Sequence, residues 1–133
     1  MSERVSDGSY GHHEDGPDIE QVRQKLPDEE SSTRMALLAS GFADAGRIRL
    51  LGALAEGEVC VGDLALALGV SQSSVSHQLR VLRSIGIVSS SRRGRHIYYT
   101  IAWSGAEKVL DQLRAVLETN ENWQNPASAG DDT

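Results

Sequence analysis

Cys60 and Asp63, in the stretch "EVCVGDLALALGV" at 58 to 70, have the residue types and spacing that invite chemistry. Cys60 is the only cysteine of the 133-residue chain. With Cys60 on the first turn of a helix, a spacing of three puts thiol and carboxylate on one face. Such a pair can help hold a cation, but a lone cysteine can equally be core filler, and the spacing leaves both open. The second group of interest is cationic. Arg80, Arg83, Arg92, Arg93 and Arg95 fall between Asp63 and Glu107, an interval without any Asp or Glu. A basic surface can therefore exist on a chain whose net charge is −6 and whose pI is near 5.1.

The elements that would position these residues follow from apolar spacing. Residues 1 to 30 are rich in carboxylates and glycine and cannot bury enough apolar area to offset their ordering entropy, so a flexible acidic arm is expected, with a short helix at "DIEQVRQKL". From Ser32 the pattern becomes helical: "TRMALLASGFA", then "AGRIRLLGALAEG" with Ile48, Leu51 and Leu54 facing one way and Arg47 and Arg49 away. "VGDLALALGV" gives a third short helix of this region, with Leu64 and Leu68 on one face and Gly69 suited to its left-handed end. "SQSSVSHQLRVLRSIG" begins with Ser71 as N-cap. Val75, Leu79 and Leu82 form one stripe of that helix, and Ser73, His77, Arg80 and Ser84 the opposite one.

"IVSSS" and "HIYYTI" read as two strands around a turn at Arg93 and Gly94, a hairpin with a basic tip on which one of Tyr98 and Tyr99 must pack inward. "SGAEKVLDQLRAVLETNENW" is an amphipathic helix with Val109, Leu113, Val116 and Leu117 as its apolar stripe, and residues 123 to 133 form a polar, disordered tail. Helix, glycine turn and second helix with an acid-free polar face make the pattern of a helix-turn-helix, and the hairpin adds a wing. A mainly α winged helix-turn-helix of five or six helices is the expected fold. Serine, glutamine, histidine and arginine on the second helix suit base edges in a major groove, and the arginine tip suits the backbone or the minor groove.

The stretch "EVCVGDLALALGVSQSSVSHQLRVLRSIGIVSSSRRGRHIYYTI" resembles, nearly without gaps, the core of the ArsR/SmtB family of metal-responsive repressors, with strings similar to "ELCVGDLA", "SHQLRxLR" and "GRxxYY". The resemblance covers residues 32 to 120 and, allowing for the ends, a domain at 31 to 122. One departure is "FADAGR", where the family usually has "LADPxR", with Ala45 and Gly46 in place of proline and its neighbour. The resemblance implies a homodimer, paired through its first and last helices, that binds double-stranded operator DNA and leaves it when an inducer binds. It puts Gln72, Ser73, Ser76, His77 and Arg80 at or near the major groove, and Arg92, Arg93 and Arg95 on the wing.

The same resemblance makes Cys60 and Asp63 metal ligands, joined by donors from the arm. The arm offers "GHHEDG", where His12 and His13 are imidazole donors and Glu14 and Asp15 weaker ones. A thiolate, imidazoles and a carboxylate suit tetrahedral Zn²⁺ and would accept Co²⁺ or Cd²⁺. The family's other site, on the last helix, is expected to be absent, because Trp103, Gly105, Val116 and Thr119 stand at its places. One thiolate per protomer argues against trivalent arsenic, which favours two or three.

Two rivals stay open. Cys60 could act by redox chemistry, through an intermolecular disulfide or an adduct, although Asp63 assists a cation and repels a thiolate. The chain could instead be a metal buffer or interaction module, which would have no need of an acid-free face. No catalytic triad, phosphate loop or paired catalytic carboxylates occur at a recognisable spacing, so no enzyme is expected. One cysteine and an N-terminus without a long apolar run lead to the expectation of a cytoplasmic protein with no membrane partner.

Overall fold

The structure, a computed structural model, describes residues 15–119 and 123–127. His12, His13 and Glu14 lie outside the described residues. The chain divides into two compact units between Ala36 and Leu37. The first contains α1 (Ile19–Lys25) and most of α2 (Glu29–Ser40), neither of which has a buried residue. Asp28 starts α2 by accepting a hydrogen bond from the Ser31 backbone N–H at 2.7 Å, and this bond holds its carboxyl below the usual carboxylate range. The helix thus crosses residue 30, the limit that composition suggests for the arm.

The second unit runs α3 (Ala45–Leu54), β1 (Val59–Cys60), α4 (Val61–Leu68), α5 (Gln72–Ile85), β2 (Val88–Arg93), β3 (His96–Ile101) and α6 (Gly105–Thr119). Leu50, Leu51 and Leu54 of α3, Leu64 of α4, and Val75, Leu79 and Leu82 of α5 meet Ile87 and Val88 in one core. The stripe of Val75, Leu79 and Leu82 is buried because α5 keeps a helical period over its whole length. Burying each such Leu contributes about 1.5–3 kcal/mol. Gly86 closes α5 in the left-handed region at φ +90°, a conformation any other residue adopts only with strain. The result is six helices among the described residues and a three-stranded antiparallel sheet of order β1-β3-β2: the expected winged helix-turn-helix.

Four details differ from the sequence expectation. Cys60 is not on the first turn of α4; it is the N-cap residue, extended at φ −86° and ψ 163°, and it belongs to β1. β1 is a third strand, too short to show alternation in the sequence, and it exists through pairing with β3, Val59 opposite Tyr99 and Cys60 opposite Tyr98. The hairpin turn is one residue later than expected, at Gly94 and Arg95, since Arg93 still pairs with His96. Gly94 has φ +63°, as the first central residue of a type II′ turn requires. Finally, the apolar stripe of α6 divides: Ala106 and Leu110 are buried with Val109 packed beside them, whereas Leu113, Val116 and Leu117 are 43, 53 and 61% exposed.

Candidate DNA-reading face and metal ligands

The reading face is built on α5. Three residues, Gly69, Val70 and Ser71, separate α4 from α5, and Gly69 at φ +70° lets the chain reverse after α4. The Ser71 hydroxyl accepts a hydrogen bond from the Ser74 N–H at 3.0 Å, which caps α5 and takes Ser71 out of the set that could touch a base. With Val75, Leu79 and Leu82 inward, Gln72, Ser73, His77 and Arg80 are exposed and Ser76 is half-buried. Among the described residues no carboxylate pairs with Arg80.

Gln78 fixes how α5 lies against α3. Its amide nitrogen donates to Asp44 Oδ2 at 2.8 Å, and its carbonyl oxygen accepts from Arg47 Nη1 at 3.0 Å. Arg47 also donates through Nη2 to the Ser40 carbonyl at 2.8 Å, and its backbone N–H donates to Asp44 Oδ2 at 3.1 Å. Arg47 is therefore turned inward as a tether between helices, not away from the apolar face as the α3 pattern suggests. The Arg47 N–H, and then the Arg47 charge and the Gln78 amide, hold the Asp44 carboxyl below the usual range against the opposing effect of desolvation. Sequence reasoning missed Asp44, Arg47 and Gln78 as a group. The available signal was the "D-x-x-R" of "DAGR", the spacing of an N-cap and a helical N–H three residues on.

The wing arginines stand at the hairpin end. Arg92 and Arg95 are exposed, and among the described residues Arg92 donates only to the Gly94 carbonyl, at 3.4 Å. Arg93 is engaged: its Nη2 lies 2.6 Å from Glu58 Oε1, and its guanidinium carbon 4.0 Å from the centre of the Tyr98 ring. Tyr99, on the opposite face of β3, packs against the core, so the two tyrosines divide as a strand demands.

Cys60 and Asp63 sit at the start of α4. The Cys60 side chain is half-buried, free and makes no capping hydrogen bond, and Asp63 is exposed in the first turn. Among the described residues no side chain bonds to the Asp63 carboxylate. A soft thiolate and a hard carboxylate, both without internal partners, fit a borderline divalent cation such as Zn²⁺. They would fill two of the four positions of a tetrahedral site, and no group of three or more His, Cys, Asp or Glu gathers among the described residues. A tetrahedral site there would take its remaining donors from residues outside that set, from another chain or from water. No helix among the described residues is long and apolar enough to cross a membrane.

Comparison with known proteins gives this arrangement its context. Residues 44–90 match the sequence model of the family described as "Bacterial regulatory protein, arsR family". The chain is 51% identical over 87 residues to a "Transcriptional repressor SmtB homolog" of Synechocystis sp., spanning 63% of this chain and 66% of the relative. It is 39% identical over 85 residues to the "HTH-type transcriptional regulator NmtR" of Mycobacterium tuberculosis, spanning 64% and 71%. The solution structure of apo-NmtR superposes with a TM-score of 0.64 at 34% identity, over 76% of this chain and 85% of that one.

Proposed function

The chain belongs to the ArsR/SmtB family of bacterial regulatory proteins, and we propose that it is a metal-responsive transcriptional repressor that binds operator DNA as a homodimer and releases it on binding zinc or a similar divalent cation. The observation that carries this is the conjunction, within one unit, of a carboxylate-free α5 face with a Cys60 and an Asp63 at the start of α4 that have no side-chain partner among the described residues. The helix that Cys60 caps and whose first turn carries Asp63 is also the first helix of the helix-turn-helix. The two relatives named above are transcriptional regulators, one of them named a repressor, rather than enzymes.

On this account Gln72, Ser73, Ser76, His77 and Arg80 lie at the major groove, and Arg92 and Arg95 hold phosphates. The exposed Leu113, Val116 and Leu117 of α6 support the dimer, because three apolar side chains on one helix end are costly to leave in water. Two protomers would then present two copies of α5 at half-sites one helical turn apart. Cys60, Asp63 and, from the arm, His12 and His13 would hold the cation. A bound cation supplies a cross-link between the arm and the start of α4. Cys60 is continuous with β1 as well as α4, so fixing it constrains both the helix-turn-helix and the wing. To weaken DNA binding this constraint need only favour the non-binding geometry by a few kcal/mol, and DNA must then weaken cation binding by the same factor.

The test is spectroscopic. Co²⁺ added to the purified protein should give the near-ultraviolet thiolate-to-metal absorption band, and Cys60→Ser should lose it while its affinity for a duplex from the protein's own promoter is kept. A band that survives in Cys60→Ser, or none in the wild type, contradicts the ligand assignment.

A further inference from the structure

Residues directly opposite in an antiparallel pair share a face of the sheet, and residues two apart on a strand share it too. Cys60 faces Tyr98, Tyr98 faces Ser91, and Arg93 faces His96. These five therefore occupy one face of the wing sheet, while Val59, Val88, Tyr99 and Ile101 on the other face join the core. Glu58, two residues before Cys60, continues the same row. Its carboxylate accepts from Arg93 Nη2 at 2.6 Å through Oε1 and from the Ser91 hydroxyl at 3.4 Å through Oε2. Arg93 crosses the Tyr98 ring at 4.0 Å to reach it, and the His96 ring meets the edge of the same ring at a centroid distance of 6.3 Å. The arginine at the end of β2 is thus folded back along the sheet and not extended from the tip.

We propose that Glu58 is a positioning residue that gates the wing: it holds the Arg93 guanidinium by the same N–H donors a DNA phosphate would need, and so withholds one cation per protomer from DNA. The inference rests on the DNA-binding function proposed above and deepens it. Carboxylate and phosphate compete for the Nη2 donors, and the paired carboxylate offsets the positive charge that would attract a phosphate. The pair is half-exposed, at 56% for Arg93 and 37% for Glu58, so Arg93 is near enough to solvent to reach a phosphate once the Glu58 carboxylate is removed. Glu58 also supplies the one carboxylate that ion-pairs with a wing arginine among the described residues, in a wing whose own strands have none. The gate stands two residues from Cys60, immediately before the strand that carries this thiol.

The experiment is a fluorescence-anisotropy titration of a labelled duplex from the protein's own promoter, over a range of salt, with wild type, Glu58→Gln, Arg93→Gln and the double variant. Equal thermal unfolding of the four proteins shows that the fold is unchanged. Releasing one arginine per protomer should make the slope of log K against log salt steeper by about 1.8 in a dimer, and raise affinity at low salt by about tenfold. Arg93→Gln alone should stay close to wild type, and the double variant should lose the whole gain of Glu58→Gln. A Glu58→Gln slope equal to wild type, a gain that persists in the double variant, or a large loss in Arg93→Gln each overturns the gate while leaving the DNA-binding function in place. Duplex binding by none of the four overturns both.

Discussion

Removing Arg92 and Arg95 together tests the wing in a way that separates charge from sequence reading. Both guanidiniums are exposed at the hairpin end and neither pairs with a carboxylate among the described residues, whereas Arg93 is held by Glu58. In a dimer the double variant Arg92→Ala/Arg95→Ala removes four candidate phosphate contacts. Each contributes about 0.9 to the slope of log K against log salt, so the slope should become shallower by about 3.6. Between about 50 and about 200 mM salt the gap between wild type and variant should therefore narrow by about a hundredfold. The assay is anisotropy with two labelled duplexes, one from the promoter and one of unrelated sequence. Because phosphate contacts carry no sequence information, both affinities should fall by the same factor and their ratio should stay constant. Arg80→Ala, by contrast, should reduce the ratio by a factor that corresponds to about 1–3 kcal/mol per contact. A double variant with an unchanged slope, or one that loses the ratio and keeps the slope, would refute the division of labour between wing and α5.

The remaining expectations concern the scaffold. Ser71→Ala removes the hydroxyl that caps α5 and should destabilise the protein by about 1 kcal/mol, a fall in Tm of about 4–8 °C for a unit of this size. Val116→Arg together with Leu117→Arg should convert the proposed dimer to a monomer in sedimentation without lowering helix content, since both side chains are exposed in the single chain. Asp44 gives a pH dependence of definite sign. Its carboxyl titrates lower in the folded chain than in the unfolded one, so its contribution is complete above about pH 4 and fades as pH falls through the lower folded value. Asp44→Asn should accordingly show a shallower acid-unfolding limb than wild type by circular dichroism, with a lower stability at neutral pH.

The parts of this protein that were legible in the sequence are those with local periodicity. The α5 stripe of Val75, Leu79 and Leu82 alternates with polar residues at helical spacing, so both its burial and the direction of its outer face follow from residue order. The hairpin follows from β-branched and aromatic residues around Gly94, although the turn was off by one because Arg93 gives no local sign that it still pairs with His96. What escaped was held by long-range contacts. β1 is two residues long and owes its extended form to β3, forty positions on by the Val59 and Tyr99 pairing. The Glu58–Arg93 pair joins positions on either side of two helices, and the Gln78 amide reaches back to Asp44 and Arg47, so neither has a local pattern. The α3 spacing turned Arg47 toward solvent, while the geometry makes it the partner of Gln78 and Asp44. Of the four residues expected to bind metal, the structure brings Cys60 and Asp63 to one helix start, and His12 and His13 lie outside the described residues.

The most direct measurement is an anisotropy titration of the promoter duplex bound to the wild-type protein, with Zn²⁺ added and then removed by a chelator, repeated with Cys60→Ser. The account predicts release of the duplex by zinc, recovery on chelation, and a Cys60→Ser protein that binds DNA as tightly as wild type but keeps it in the presence of zinc. Tight DNA binding that is indifferent to zinc, cobalt and cadmium, or zinc-driven release that persists in Cys60→Ser, would contradict it.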